Sequence, residues 1–599
     1  MTMKGKPEVY SDKTSPSVED KNKKIGDDQS GDITMTQDHG YETPKHSISV
    51  AGSECELKSS NGSSSESDPN TFEGLLNIVG EAGPWQLQIF LLTSFVGFCT
   101  ALHNLIYAFI GAIPDHWCTL PTVGNYSQND LKNLLIPRKS NGDFESCKTH
   151  PFSWNGTDEA FVVDGNVTES CDVVDFDYST FDSTIVTDWQ LVCGDTFWAS
   201  AVQAMYMFGI LCGSPIFGAV SDKLGRRKAI LISTIIFVIA GPLVALSPNF
   251  TFVMITRFLL AFGSPGIYGT SFVLAIEVLG PSWRGLAGNL FCLPFAVGYM
   301  VLPGVAYFLR DWKMLQLVLS APSVLLFATW YFLPESPRWL LRKGRVAEAE
   351  AILRQAAARN GRKKELPVDF SEMVARIADS EKENIIDETW KTKISSVLSG
   401  YTNLFGTPKM RTRTLVVYVC WASISLTYYG IALNSPNLSA DRYLYTFIGG
   451  VLEVPSYFMV PPLIKYFGRK PVFSGFLLIC SGALFLSLLF EEGSAIIITL
   501  SLFGKFVIGG AYALIYLYAT ELMPTLLRTY GLGTSSMVGR VGSIITPFIV
   551  DILGKDNRTY PSIVFGSVAL VAGCLSLLLP ETRNRRLPES VEDVELGRV

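Results

Sequence analysis

The chain has 599 residues, a mean hydropathy of +0.27 and only 17% charged residues. That balance excludes an ordinary soluble domain and indicates a polytopic membrane protein. The net charge of −6 is a whole-chain sum that identifies no partner. The lack of an HExxH motif, a phosphate-binding glycine loop or a dense Cys/His pattern argues against an enzyme, a resident metal, a cofactor or a nucleic-acid partner.

Residues 1–72 are rich in Ser, Asp, Lys, Asn and Gly and have little apolar periodicity, so a disordered cytosolic tail is expected. No cleavable signal peptide is expected, because the first apolar run begins only near Trp85. That run, Trp85–Ile113, is the first predicted span and carries His103 and Asn104. Polar groups at bilayer depth usually face a bundle interior, so His103 is either a hydrogen-bonded core residue or a substrate contact. A polar, acidic segment follows at 114–196, with Cys118, Cys147, Cys171 and Cys193 and sequons at Asn125, Asn155 and Asn166. Even cysteine count and sequons together predict a disulfide-bonded, glycosylated loop on an oxidising outer face. Three pairings of the four cysteines are possible. The other cysteines are scattered, as packing thiols are.

Five further runs complete a first half at 73–333: about 197–220, 229–246, 251–278, 285–309 and 313–333. Spans four and five are rich in Gly and Pro, which suits close helix packing and local flexing. A basic, helix-prone linker is expected at 334–413. The second half, 414–580, gives runs at about 414–433, 443–464, 472–490, 494–519, 530–551 and 561–579, and 581–599 is a tail. Each run is long enough to approach or cross a ~30 Å hydrocarbon core. Twelve spans and the basic turn Gly218–Lys228 put both termini in the cytosol by the positive-inside bias.

The halves repeat. Gly225-Arg226-Arg227 recurs as Gly468-Arg469-Lys470, and Glu277…Arg284 recurs as Glu521…Arg528 with the same step. Pro334-Glu335-Ser336 recurs as Pro580-Glu581-Thr582. The three offsets of 243, 244 and 246 residues are nearly constant, which predicts two parallel halves. Lys465 stands where Asp222 would recur, so the copies have diverged. Asp222, Arg226, Glu277, Arg284, Glu521 and Arg528 are expected to form ion pairs between helices at the inner mouth, breaking as the halves rock.

Depth arithmetic isolates three more charges. At ~1.5 Å rise per residue, Arg540 lies about 18 Å beyond Arg528, and Glu453 about 22 Å from the turn at Gly468. Both fall near the midplane, where an ionised side chain costs at least ~2.5 kcal/mol and needs water or a partner. They are read either as a permanent ion pair or as a cavity for a ligand with two opposite charges. Lys505, about 24 Å from Glu521, is expected in the outer half of the cavity. Tyr428, Tyr429 and Tyr457, with Trp421, Phe447, Tyr512 and Tyr516, supply ring faces on which an amine can bind by cation–π attraction.

The turn Gly218–Lys228, the run Pro334–Leu341 and the closing Pro580-Glu-Thr resemble the signatures of the major facilitator superfamily, sugar porters included. The long cysteine-bearing loop adds a narrower likeness, together with Thr187–Cys193, Glu453-Val-Pro455, Gly504-Lys505-Phe506 and Arg540–Pro547. These resemble the organic cation, organic anion and carnitine transporters, solute carrier family 22, over about residues 74–590. The resemblance implies an all-α membrane protein of twelve helices in two parallel six-helix halves, with a large extracellular loop between the first two spans. It also implies a plasma-membrane transporter that works by alternating access, with sodium or protons as the candidate coupling ions. Cation-transporting members place an acid where Arg540 stands, and anion and carnitine members an arginine; the Gly504-Lys505-Phe506 run adds likeness to the carnitine branch. Small zwitterions such as carnitine, beta-alanine or amine conjugates are therefore the first expectation, organic anions the second and cations the third. The family's ligand cavity uses the part of span seven that holds Tyr428 and Tyr429. A reading from another class, an adhesion or sensor protein on the same fold, leaves the cost of Glu453 and Arg540 unexplained.

Overall fold

The computed structural model describes residues 71–597, apart from 122–126, 139–143, 156–159, 165–166, 172, 382–398, 439–440, 492 and 526. In a bilayer, backbone polar groups must be satisfied internally, so the apolar runs coil. Among the described residues, eleven helices are long and apolar enough to cross a membrane by length and composition. Six lie before the linker: Pro84–Ile110, Cys193–Leu224, Arg226–Ala245, Phe250–Val278, Pro281–Phe308 and Trp312–Phe332. Five follow it: Pro408–Leu433, Arg442–Phe467, Arg469–Ser487, Ala495–Leu522 and Arg528–Leu553. The twelfth predicted run is the shorter apolar helix Tyr560–Ser576, of 17 residues. Several helices carry internal prolines, and Pro547 precedes a π-helical turn at Ile549–Leu553. A proline lacks the N–H that would close the preceding turn, which favours such a local rearrangement.

Residues 1–70 lie outside the described residues, and Thr71 and Phe72, the last two of the expected tail, belong to a capped helix. Thr71 caps the helix Phe72–Val79 by accepting from the Gly74 N–H at 3.2 Å. Its apolar face (Phe72, Leu75, Leu76, Val79) packs in one cluster with linker residues Leu353, Ala356, Ala357, Phe370, Val374 and Ile377. The linker therefore folds, as Pro337–Arg342, Val346–Arg359 and Phe370–Glu381, against the first half. Asn360 fastens it: its Oδ1 accepts from the Trp85 N–H at 3.1 Å, and its Nδ2 donates to Val79 O at 3.0 Å and to Gln86 Oε1 at 2.9 Å. After the last apolar helix, Val591–Leu596 docks on the second half, where Glu595 accepts from the Lys409 N–H at 2.8 Å.

The polar segment between the first two spans is a small folded unit. Three antiparallel strand pairs join His116–Cys118 to Val174–Phe176, Lys148–Thr149 to Glu169–Ser170, and Phe152–Asn155 to Ala160–Val163. Leu131 and Leu135 of the helix Gln128–Leu135 complete its core with Cys118, Leu120 and Ile136. The cysteines pair as Cys118–Cys171 and Cys147–Cys193, which selects one of the three possible connectivities. Of the sequons, Asn125 and Asn166 lie outside the described residues and Asn155 ends a strand. Alkylation of the denatured, unreduced protein should leave these four cysteines unmodified and label Cys99, Cys212, Cys292, Cys420, Cys480 and Cys574. Peptide mapping reads the result, and modified Cys147 or Cys193 would refute the pairing. Closing a 46-residue separation is worth about 4 kcal/mol in the chain-entropy account, so losing the second bridge should visibly lower the melting temperature.

Candidate functional site

The recurring motifs meet in space as two equivalent braces at the end of the bundle opposite the folded loop. In the first half, Gly225 turns the chain with φ of +98°, and a Cβ there would sit 2.4 Å from Glu335 Oε2. That carboxylate accepts from the Arg226 N–H at 2.8 Å and the Arg227 N–H at 3.3 Å. In the second half, Gly468 has φ of +93° and a Cβ would lie 2.7 Å from Glu581 Oε2. Glu581 accepts from the N–H groups of Arg469, Lys470, Thr582 and Arg583 at 2.8–3.0 Å. Both motifs thus need glycine for its left-handed backbone and for the space a carboxylate fills. Burial raises the Glu581 carboxyl, but its backbone donors outweigh burial and hold it below the usual carboxylate range. The ionised brace is therefore present at neutral pH and is lost as pH falls through that lowered value.

The predicted gating charges lie at these braces. Arg226 pairs with Asp222 at 2.8 Å and with Glu277 at 2.9 Å. Arg469 pairs with Glu521 at 3.1 Å, and Glu521 also receives the Thr582 hydroxyl. Arg284 pairs with Glu73 of the first helix at 3.4 Å. Among the described residues Arg528 forms no ion pair, and its Nε and Nη2 are buried without a hydrogen-bond partner. Each of these pairs lies within one half.

Contacts between the halves gather toward the end that bears the folded loop. Asp551 accepts from the Tyr107 hydroxyl at 3.0 Å and the Ser200 hydroxyl at 2.9 Å. Arg442 donates to Ala108 O at 2.9 Å and lies over the Phe181 ring. Tyr443 packs with Phe109, Phe181 and Tyr307, and Phe197 with Phe548. Sequence reasoning missed this cluster because Tyr107, Ser200, Arg442 and Asp551 belong to no repeated motif.

Deeper in the bundle lie the predicted midplane residues. Glu453 and Lys505 are each 1% exposed and form an ion pair of 3.3 Å. Glu453 also receives the Tyr428 hydroxyl, and the Tyr457 hydroxyl at 3.1 Å. Lys505 Nζ lies 3.1 Å from the centroid of the Tyr428 ring. Lys505 is thus a direct partner of Glu453, not a separate outer contact, because the Arg442–Phe467 and Ala495–Leu522 helices pack side by side. A permanent Glu453–Arg540 pair, one of the two readings of these charges, is not among the ion pairs of the described residues. Arg540 Nη1 instead meets the Tyr429 hydroxyl at 3.4 Å, and Asn104 Nδ2 of the first half donates to that same hydroxyl at 3.2 Å. Tyr428, Tyr429, Tyr512, Tyr516 and Trp421 form a continuous aromatic wall, with neighbouring ring centroids 4.6–6.2 Å apart. His103 is not brought to this group; it is fully buried, edge-on to Phe237 and 3.4 Å from Gln316. Asn104 is, and its signal was a polar side chain one residue from His103 in an apolar span.

Residues 147–593 match the family described as sugar (and other) transporter. The chain is 33% identical to the organic cation transporter protein of Drosophila melanogaster, over 88% of this chain and 94% of that one. It is 33% identical to the human organic cation/carnitine transporter 2, over 87% and 94%, and 32% identical to mouse organic anion transporter 3, over 88% and 94%. Among solved structures, the inward-open xylose transporter XylE from E. coli shares the fold, with a TM-score of 0.57 at 16% identity over 86% of this chain and 99% of that one. Paired braces, an inter-half polar seam and charges buried at the bundle's middle agree with these likenesses. The chain belongs to the sugar (and other) transporter family of the major facilitator superfamily, within it to the solute carrier 22 organic cation, anion and carnitine group, and is a membrane transporter, not an enzyme.

Proposed function

We propose that this transporter carries a small organic solute bearing a carboxylate, with zwitterions of the carnitine or beta-alanine type first. The observation that carries the reading is Arg540, a half-buried guanidinium whose hydrogen-bond partner among the described residues is a tyrosine hydroxyl and not a carboxylate. An unneutralised charge at that depth is costly, and a ligand anion offsets the cost. Glu453 is already neutralised by Lys505, so the group of Glu453, Lys505 and Arg540 carries one net positive charge. This favours an anionic end strongly and leaves a cationic end to the ring faces of Tyr512, Tyr516 and Trp421. The same net charge supports organic anions as the second reading.

In this reading, Tyr560–Ser576 is a twelfth span, the disulfide-bonded loop is extracellular and glycosylated, and both termini are cytosolic in a plasma-membrane protein. The seam around Asp551 then closes the outer side, and rocking of the halves breaks it to admit solute. Asp222→Asn should lower turnover while leaving affinity nearly intact. Because Asp222 is 78% exposed, its pair with Arg226 should contribute under ~1 kcal/mol to stability. Arg226→Ala should be far more damaging in a detergent melting assay, since it strands Glu277 at 13% exposure. Equal melting of the two variants would remove Arg226 from the brace.

The deciding experiment is time-dependent uptake into vesicles containing the purified protein. The panel is carnitine, beta-alanine, a quaternary amine without a carboxylate, and an aromatic carboxylate. Saturable uptake of the carboxylate-bearing compounds is expected, with the zwitterions ahead. Uptake of the quaternary amine alone would overturn the reading, and binding without uptake would point to a sensor.

A further inference from the structure

A second cluster of buried polar groups lies wholly within the first half, away from Glu453 and Lys505. Arg257 is fully buried in the Phe250–Val278 helix. Its Nη2 donates to Gln203 Oε1 at 2.9 Å, and Gln203 Nε2 in turn donates to Asn104 O at 3.2 Å. The guanidinium carbon lies 4.7 Å from the centroid of the Tyr206 ring. Among the described residues Arg257 Nε and Nη1 have no hydrogen-bond partner. Among the described residues no carboxylate forms an ion pair with Arg257.

A guanidinium cannot shed its proton as a buried lysine can, so its charge must be met by another group. Gln203 and the Tyr206 ring meet it only with neutral dipoles and a ring face. Two orphaned N–H donors on one fully buried cation define an anion-binding chemistry and exclude a cation. Bulky organic anions do not fit a guanidinium with no exposed surface, whereas a halide needs little room and several converging donors.

We propose that Arg257 holds a small monovalent inorganic anion of the chloride class, separate from the solute site at Arg540. The anion neutralises Arg257 and so stabilises the packing of three helices: those bearing Asn104, Gln203 and Arg257.

The test uses the full-length protein in lipid nanodiscs without organic solute, with chloride exchanged for gluconate at constant ionic strength. A ligand that binds only the folded state raises its melting temperature in a saturable way. Chloride and bromide should do so and gluconate should not. Arg257→Lys keeps the charge but loses the planar fork, and should raise half-saturating chloride about tenfold or more. Arg257→Gln should abolish the response, and Arg540→Ala should retain it. Absence of a chloride response in the unmodified protein would overturn the proposal. So would an unchanged response in Arg257→Lys, or a response lost in Arg540→Ala but kept in Arg257→Lys, which would move the anion to the solute site.

Discussion

Replacing Arg540 with alanine should reduce affinity for a carboxylate-bearing solute by roughly 10- to 150-fold, the range for one or two hydrogen bonds to a charged group worth ~1.5–3 kcal/mol. Lysine should restore only part of this, because it offers a point charge in place of a planar donor fork. Arg540→Asp should act differently, turning the group of Glu453, Lys505 and Arg540 from one net positive to one net negative charge. It should reject anions and admit simple cations. The fold tolerates these changes in a way it would not tolerate loss of a paired charge, since Arg540 leaves behind only the Tyr429 hydroxyl, which Asn104 still engages. Uptake normalised to protein at the membrane measures the effect. A zwitterion carried by Arg540→Ala with unaltered affinity would place the solute elsewhere.

Glu453→Gln should damage the protein itself. Lys505 would remain buried at 1% exposure with its opposite charge removed, and breaking a buried pair from one side costs about 3–5 kcal/mol. A drop of several degrees in melting temperature and reduced surface protein are expected. Adding Lys505→Met should recover most of the stability, because a long apolar side chain fills similar space without a charge to satisfy. The double variant should still lose selectivity, since the cavity would then keep Arg540 as its sole charge of the three. If Glu453→Gln melts like the unmodified protein, the Glu453–Lys505 pair is not what keeps Lys505 buried.

Much of this was legible in the chain. The repeated Gly-Arg and Pro-Glu motifs were visible because one arrangement, a left-handed glycine beside a carboxylate that gathers backbone amides, demands the same residues twice. Rise per residue placed Glu453 and Lys505 within about 2 Å of each other in height, less than the reach of a lysine side chain. Height along a helix says nothing about which faces meet, so their pairing emerged only when the two helices were set side by side. The same limit left the partner of Arg284 unnamed; it is Glu73, in a short helix beside the tail. The linker was legible as helix-prone, but its docking on the first half was not, since buried positions such as Ala349, Ala356 and Ala357 are alanines, which carry little hydropathic contrast.

The linker's attachment has a practical consequence for observing turnover. Asn360 ties the Val346–Arg359 helix to the first half, while Glu595 ties Val591–Leu596 to the second. Each of these two helices is therefore a rigid handle on a different half. A donor dye on one and an acceptor on the other would form an optical ruler whose reading follows each transport cycle. Neither label would need to enter the membrane or touch the solute path.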